Sequence, residues 1–252
     1  MNIRRLSIFL TASLATYAFI VRPRLLRWGA TDAEVNAPYP GADLVPGGTR
    51  GGTMAVTITA PPSKVWPWLV QMGYRRAGWY SWDYLDNFGR HSADSIHPEW
   101  QNVKTGDMLV GSGASEMENA WEVAAFVPER FLGLRASFDL QRGRRFDPAK
   151  GRPRFFTDSL WGFLLEPLPD NKTRLIVSGY WYLEPRWLQP FMSFAVLEWS
   201  HWVMQTKQFA NLKRRAEGDN GRIKVVGSTQ RWEQPARRCG PPSRATPLST
   251  GS

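Results

Sequence analysis

The chain has 252 residues, 42% of them hydrophobic and 13% aromatic, enough for one sizeable core, and a formal charge of +10. The charge sits at the ends: residues 1–27 hold five Arg and no acid, residues 213–252 hold nine Lys/Arg against three acids, and residues 28–212 hold 18 Lys/Arg against 19 acids. A neutral body argues against nucleic-acid binding, which needs a basic stripe on the folded face, and the single cysteine, Cys239, excludes an intrachain disulfide and a cysteine metal cluster.

In chain order, an uncharged run from Leu6 to Val21 comes first, between Arg4–Arg5 and Arg22-Pro23-Arg24. Sixteen helical residues reach about 24 Å, short of a ~30 Å hydrocarbon core, but arginines can snorkel at both ends. No small-x-small cleavage site follows Val21. Residues 1–27 are therefore expected to form an uncleaved apolar helix. It would be a membrane anchor through residues 6–21, as a single N-terminal span or on the surface, on either side of the bilayer. The alternatives are a helix docked on the body and a cleaved signal.

Residues 28–52 are rich in Gly and Pro and read as a wrapped entry segment. "TMAVTITA" (Thr53–Ala60) alternates and is β-branched, so it is a strand. Pro62 then opens a helix that Pro67 keeps short and Gly73 ends. Ser81–Gly89 reads as a second short helix with Ser81 as its N-cap. After a loop and a strand at Met108–Val110 come four strand-like runs: Ala120–Val127, Arg130–Phe138, Ser159–Leu168 and Thr173–Leu183. "PDNK" makes a tight turn between the last two. In 187–216 the apolar residues Leu188, Phe191, Met192, Ala195, Val196, Trp199, Trp202, Val203, Phe209 and Leu212 follow helical spacing, which predicts one long amphipathic helix. Residues 219–252 are polar, basic and Pro/Ser/Gly-rich, and read as a disordered tail.

This order predicts an α+β fold in which a curved antiparallel sheet wraps on a long C-terminal helix and encloses a cavity. Residues 28–218 are expected to form this domain, which the resemblance given next implies is ligand-binding. The phrase "ITAPPSKVWPWLVQMG" (Ile58–Gly73) resembles the opening of the SRPBCC superfamily, the START-like and polyketide-cyclase-like helix-grip proteins. "GWYSWDYLDN", "SADSIHPEWQNVKTGDML" and "WGFLLEPLPDNKTRLIVSG" resemble an uncharacterised bacterial branch of it, over about Arg27 to Leu183. In similar chains an Arg often stands where this one has Ser178. The resemblance implies a deep apolar pocket for a lipid, a polyketide or another hydrophobic molecule, and it implies no catalytic set.

Seven Trp and Tyr fall within Val65–Asn87. Some are core, and the rest are rim candidates with an apolar ring and a polar tip. The candidate ligand-binding residues are Trp66, Gln71, Trp79, Tyr80, Trp82, Trp121, Trp161, Trp181, Trp199 and Trp202. Chemistry is weaker. Asp83 and Asp86 share one side of a short helix but also suit its N-terminal dipole. His91, Asp94, His97 and Glu99 match no metal spacing. Glu198 and His201 occur once, whereas di-metal bundles need the pair twice. A lone His201 facing a cavity can still act as a general acid. Asp107 reads as a turn residue, and Gln71 also suits packing beside Met72. No cofactor motif, nucleophile elbow or phosphate loop occurs. Catalytic residues, metal ligands and cofactor are therefore each assigned as none, and the leaning is to a non-enzyme. The expected function is a membrane-tethered carrier of a hydrophobic small molecule or lipid. The alternatives are a cyclase/dehydrase-type enzyme on a polyketide-like substrate and a ligand-free interaction domain of the cell envelope.

Overall fold

Among the described residues, eight strands join one antiparallel sheet in the order β1-β8-β7-β5-β4-β3, with β2 also on β8 and β6 on β5. The computed structural model describes residues 3–111 and 119–218, so the tail expected at 219–252 lies outside the described residues. The strands are β1 (Thr49–Arg50), β2 (Met54–Ile58), β3 (Met108–Val110), β4 (Ala120–Val127), β5 (Phe131–Asp139), β6 (Arg144–Arg145), β7 (Phe156–Leu168) and β8 (Lys172–Glu184). The helices are α1 (Ile3–Thr16), α2 (Arg22–Leu26), α3 (Asp32–Asn36), α4 (Pro62–Val70), α5 (Asp83–Asp86), α6 (Gln189–Met192) and α7 (Glu198–Glu217). This is the helix-grip α+β fold that the sequence implied. The β7–β8 hairpin is its spine, with thirteen residues in each strand. Asp170 and Asn171 take left-handed φ at its turn, a conformation that short polar side chains tolerate.

The period-2 alternation sends the strand residues to two faces. The concave face carries Phe163, Leu165, Leu175, Val177, Leu132 and Leu134, which pack with Val65, Trp66, Trp68 and Leu69 of α4 and with Phe209 and Leu212 of α7. The convex face carries Phe131, Ile176 and Ala55 under Tyr39. The entry segment covers this face, as expected. The Tyr39 hydroxyl donates to the Ile176 carbonyl at 3.1 Å, and Arg174 pairs with Glu34 at 2.6 Å. Gly162 makes room for the Tyr39 ring, since a Cβ there would stand 2.8 Å from it. Pro67 sits inside α4, which is nine residues long, as short as the sequence predicted.

Three expectations change. The N-terminal segment is helical in α1 and α2, joined by a π-helical stretch at Tyr17–Val21. Yet no helix among the described residues is long and apolar enough to cross a membrane, so the span through residues 6–21 finds no support. The base of this segment docks on the body: Arg22 makes a two-pronged ion pair with Glu198, at 2.6 and 2.8 Å, and Tyr17 meets Phe194 edge-on at 5.0 Å. Ser81 does not cap α5. The cap position is Trp82, without a side-chain bond, and the Ser81 hydroxyl donates to the Met204 carbonyl at 2.9 Å.

The third change is the C-terminal helix. A π-helical stretch at Ser193–Leu197 separates α6 from α7 and shifts the face turned inward. Phe191, Val196 and Trp199 of the expected apolar stripe are exposed, while Gln205, Gln208 and Asn211 are buried. The cause lies in what α7 covers. Beneath it runs the loop at Trp79–Ser81, whose carbonyls need donors. Gln208 donates to Trp79, and Asn211 to Tyr80, each at 2.8 Å.

Candidate ligand-binding cavity

The concave face is not filled evenly. Toward the turn of the hairpin, Phe163, Leu165, Leu175 and Val177 meet α4 and the C-terminal half of α7 in a closed core. Toward the other end, Thr157, Ser159 and Gly179 present little volume to α6 and the first half of α7. A cavity of about 1690 Å³ remains there, larger than the ~300–1,000 Å³ of common small-molecule sites. Its sheet wall includes Ser159, Trp161 and Trp181, and its helix wall includes Phe194, His201, Met204 and Gln205. It continues to the sheet edge at Arg50, Gly51, Gly52 and Thr53.

Of the ten candidate ligand-binding residues, Trp79, Trp121, Trp161 and Trp181 line this cavity. Trp161 is the hub. Its ring centroid lies 5.6 Å from Trp79, 5.7 Å from Trp121, 4.7 Å from Phe163 and 6.4 Å from His201. Trp79 is fixed by its N–H, which donates to the Gly111 carbonyl at 2.8 Å.

The other six stand elsewhere. Trp66 is core, tilted against Phe126 at 5.3 Å. Gln71 and Tyr80 are buried together, with Gln71 donating to the Tyr80 hydroxyl at 2.6 Å and to the Ser95 carbonyl at 3.0 Å. Burial pushes the Tyr80 hydroxyl pKa up, opposed by Gln71 and by the nearby guanidinium groups of Arg215 and Arg76. Tyr80 also holds a left-handed φ of 60°, which its buried partners enforce. Trp82 is half-exposed under Lys207 and donates to the Val203 carbonyl at 3.2 Å. Trp199 is exposed and donates to Ala195 of its own helix. Trp202 packs on the main core rather than on the cavity. Aromatic content alone does not separate these rings. The difference lies in which loop or strand stands behind each one.

Sequence reasoning raised Glu198 and His201, and allowed His201 to face the cavity, but missed Gln205, Gln208 and the row that the four form. Glu198, His201, Gln205 and Gln208 repeat at 3, 4, 3 spacing along α7, and all four line the cavity. The polar character of Gln205 and Gln208 hid them from a search for an apolar stripe. Desolvation pushes the His201 pKa down to about 4, so its imidazole is neutral at pH 7. Asp86 also borders the cavity; burial, then repulsion by Asp83, raises its pKa to about 7. Asp83 itself accepts from the backbone and hydroxyl of Ser92, at 3.1 and 2.6 Å, so the two carboxyls do not act as a pair. His97 contacts Glu99 at 3.2 Å and stacks on Trp100. Among the described residues no group of three His, Cys, Asp or Glu is placed to hold a metal. Ser178 accepts from Arg50 at 3.3 Å, so a guanidinium does reach this spot, delivered from the neighbouring strand.

No protein-family model and no curated protein matches the chain. Among solved structures, a protein of Mesorhizobium loti is 17% identical, covering 67% of this chain and 98% of its own, with a TM-score of 0.37. A protein of unknown function from Enterococcus faecalis is 15% identical over 70% of this chain and 77% of its own, with a TM-score of 0.34. A polyketide-cyclase-like protein of Corynebacterium glutamicum is 16% identical over 69% of this chain and 88% of its own, with a TM-score of 0.28. The class assignment stands on the chain's own architecture: an antiparallel sheet gripping a C-terminal helix around a cavity.

Proposed function

We propose that residues 28–218 bind and carry a hydrophobic small molecule or lipid at a membrane surface. The observation that carries this reading is the cavity together with its rim. Leu85, Phe191 and Leu197 line the cavity and are also exposed. Phe19 and Trp187, 80% and 77% exposed, add apolar surface on segments whose sequence neighbours Arg22, Pro23, Arg186 and Leu188 line the cavity. An apolar rim around an apolar cavity suits a ligand that leaves a bilayer without crossing water. Arg22 and Arg24 follow the exposed Phe19, Ile20 and Val21, a pattern that favours a helix lying in the interface over one that spans. Trp79, Trp121, Trp161 and Trp181 form the aromatic wall of the site.

The test has two arms. Full-length protein, purified without detergent, is examined by native mass spectrometry and its bound material extracted into organic solvent. Co-purifying lipid or another apolar molecule is the expected result. Vesicle co-sedimentation then compares the wild type with a Phe19→Ser/Phe191→Ser variant, which should bind at least about tenfold more weakly. Empty protein that also takes up no apolar dye would sink the carrier reading. Equal sedimentation of both proteins would sink the membrane-surface part alone.

A further inference from the structure

The polar row of α7 narrows the ligand class. Glu198 is committed to Arg22. Gln208 donates to the Trp79 carbonyl and accepts from the Gln205 amide at 2.8 Å. The Gln205 oxygen is buried with no partner among the described residues, and so is the Trp161 indole N–H. Both stand beside His201, Trp161 by ring contact and Gln205 one helical turn on. His201 makes no hydrogen bond to the described protein, and its ring nitrogens are not among the polar atoms closed off from space. His201 itself lines the cavity. Those two atoms are themselves closed off, so His201, with no hydrogen bond to the described protein, is the group of this wall left for a ligand to partner.

Charge then selects the partner. Of the cavity's arginines, Arg22 and Arg27 are ion-paired with Glu198 and Asp32, while Arg50 and Arg186 keep their charge and are held by the carbonyls of Ala37 and Glu34 and of Gly47. At His201 itself the ring contact is Trp161 and no guanidinium is a partner, so an anionic head group received there would meet an uncharged imidazole. A cation fares no better, because both carboxyl oxygens of Asp86 are closed off and the Glu198 carboxylate is paired. A neutral imidazole offers one donor and one acceptor, which match a hydroxyl or a carbonyl.

We propose that the cavity takes an amphipathic molecule whose polar group is an uncharged oxygen function, a hydroxyl or a carbonyl, and that His201 is the side chain that receives it. This rests on the reading of the cavity as an apolar ligand site. The test uses full-length protein and the apolar dye N-phenyl-1-naphthylamine, displaced by 1-dodecanol, 2-dodecanone, dodecanoate and dodecylammonium. The alcohol and the ketone should displace the dye at least about tenfold better than either ion. His201→Leu should weaken the alcohol about tenfold relative to n-dodecane, which has no polar group, in the same protein, and His201→Gln, which keeps a donor and an acceptor, should restore most of that difference. A preference for either ion, or undiminished alcohol binding in a folded His201→Leu protein, overturns the proposal. Should His201→Leu not fold, the head-group ranking in the wild type and in His201→Gln decides. Failure of the dye to bind the wild type defeats the cavity reading itself, an outcome distinct from dye binding without head-group preference.

Discussion

His201 should make the fold acid-sensitive in a defined window. Burial holds its pKa near 4, against an ordinary value of 6.5. A base whose folded pKa is depressed leaves the unfolded chain to take up the proton first. The His201 contribution to stability is therefore full above about pH 6.5, falls as pH drops toward 4, and then levels off. The interval from 6.5 to about 4 corresponds to a ceiling of about 3.4 kcal/mol. The ring borders the cavity, and water there screens part of the penalty, so a loss of roughly 1.5–2 kcal/mol is expected. Asp86 works in the opposite direction across the same window. Its pKa is raised, so protonation favours the folded state as pH falls. The wild-type curve alone thus understates both effects. The informative quantity is the stability difference between wild type and His201→Gln, from urea melts at pH 7.5, 6.5, 5.5 and 4.5. Wild type should lose roughly 1.5–2 kcal/mol against the variant between the first and last points. Glu34, held near pKa 2 first by its hydrogen bonds to Arg174, is present in both proteins and cancels. A difference constant within ~0.3 kcal/mol across the series would refute the idea that His201 is desolvated.

The remaining predictions follow from the same geometry. Asp86→Asn should gain stability relative to wild type as pH rises from about 4 to 8, and urea melts across that range that show a falling difference would count against a desolvated Asp86. Phe209→Ala removes a fully buried ring stacked on Trp28 and should cost about 3–5 kcal/mol by thermal melt. Trp199→Ala, 48% exposed and outside the cavity, should cost less than about 1 kcal/mol and leave dye affinity unchanged. Ser159→Phe places a ring in the open half of the concave face; it should fold within about 1.5 kcal/mol of wild type while dye affinity falls at least about tenfold.

The strands were legible because each carries its own period and turn chemistry. Met108–Val110 and Ala120–Val127 fall on the residues the pattern predicts and the other four predicted strands lie within three residues, while the two-residue strands Thr49–Arg50 and Arg144–Arg145, too short to show a period, were not predicted. The cavity's position between sheet and C-terminal helix was also legible, since that helix must cover the concave face. The cavity-facing side of the helix was not. Apolar spacing pointed to Trp199 and Trp202, but it could not register the π-helical residues at 193–197, which change the phase. Nor could it show that the loop at Trp79–Ser81 would bring bare carbonyls against α7 and draw Gln208 and Asn211 inward. Gln71 failed as a ligand contact for a related reason. A buried amide reads the same in sequence whether it meets a ligand or, as here, a tyrosine hydroxyl and a loop carbonyl.

Open and closed halves of the concave face come from one hairpin, and its register explains how. Phe163 faces Val177 and Leu165 faces Leu175 across β7 and β8, so large side chains fill both strands at one end. Two pairs further along, Trp161 faces Gly179 and Ser159 faces Trp181. Each large ring there is matched with a small partner, which leaves depth beside it. α7 follows the same division, with Phe209 and Leu212 over the filled end and His201, Met204 and Gln205 over the open one. If the gap were a packing defect, apolar residues on both sides would be expected to have closed it, since an unfilled void forfeits dispersion energy. Instead the helix side presents polar atoms, which an empty apolar void would penalise further. Under the carrier reading proposed above, a bound molecule would fill the depth beside Trp161 and Trp181 and find its hydrogen-bond partner at His201.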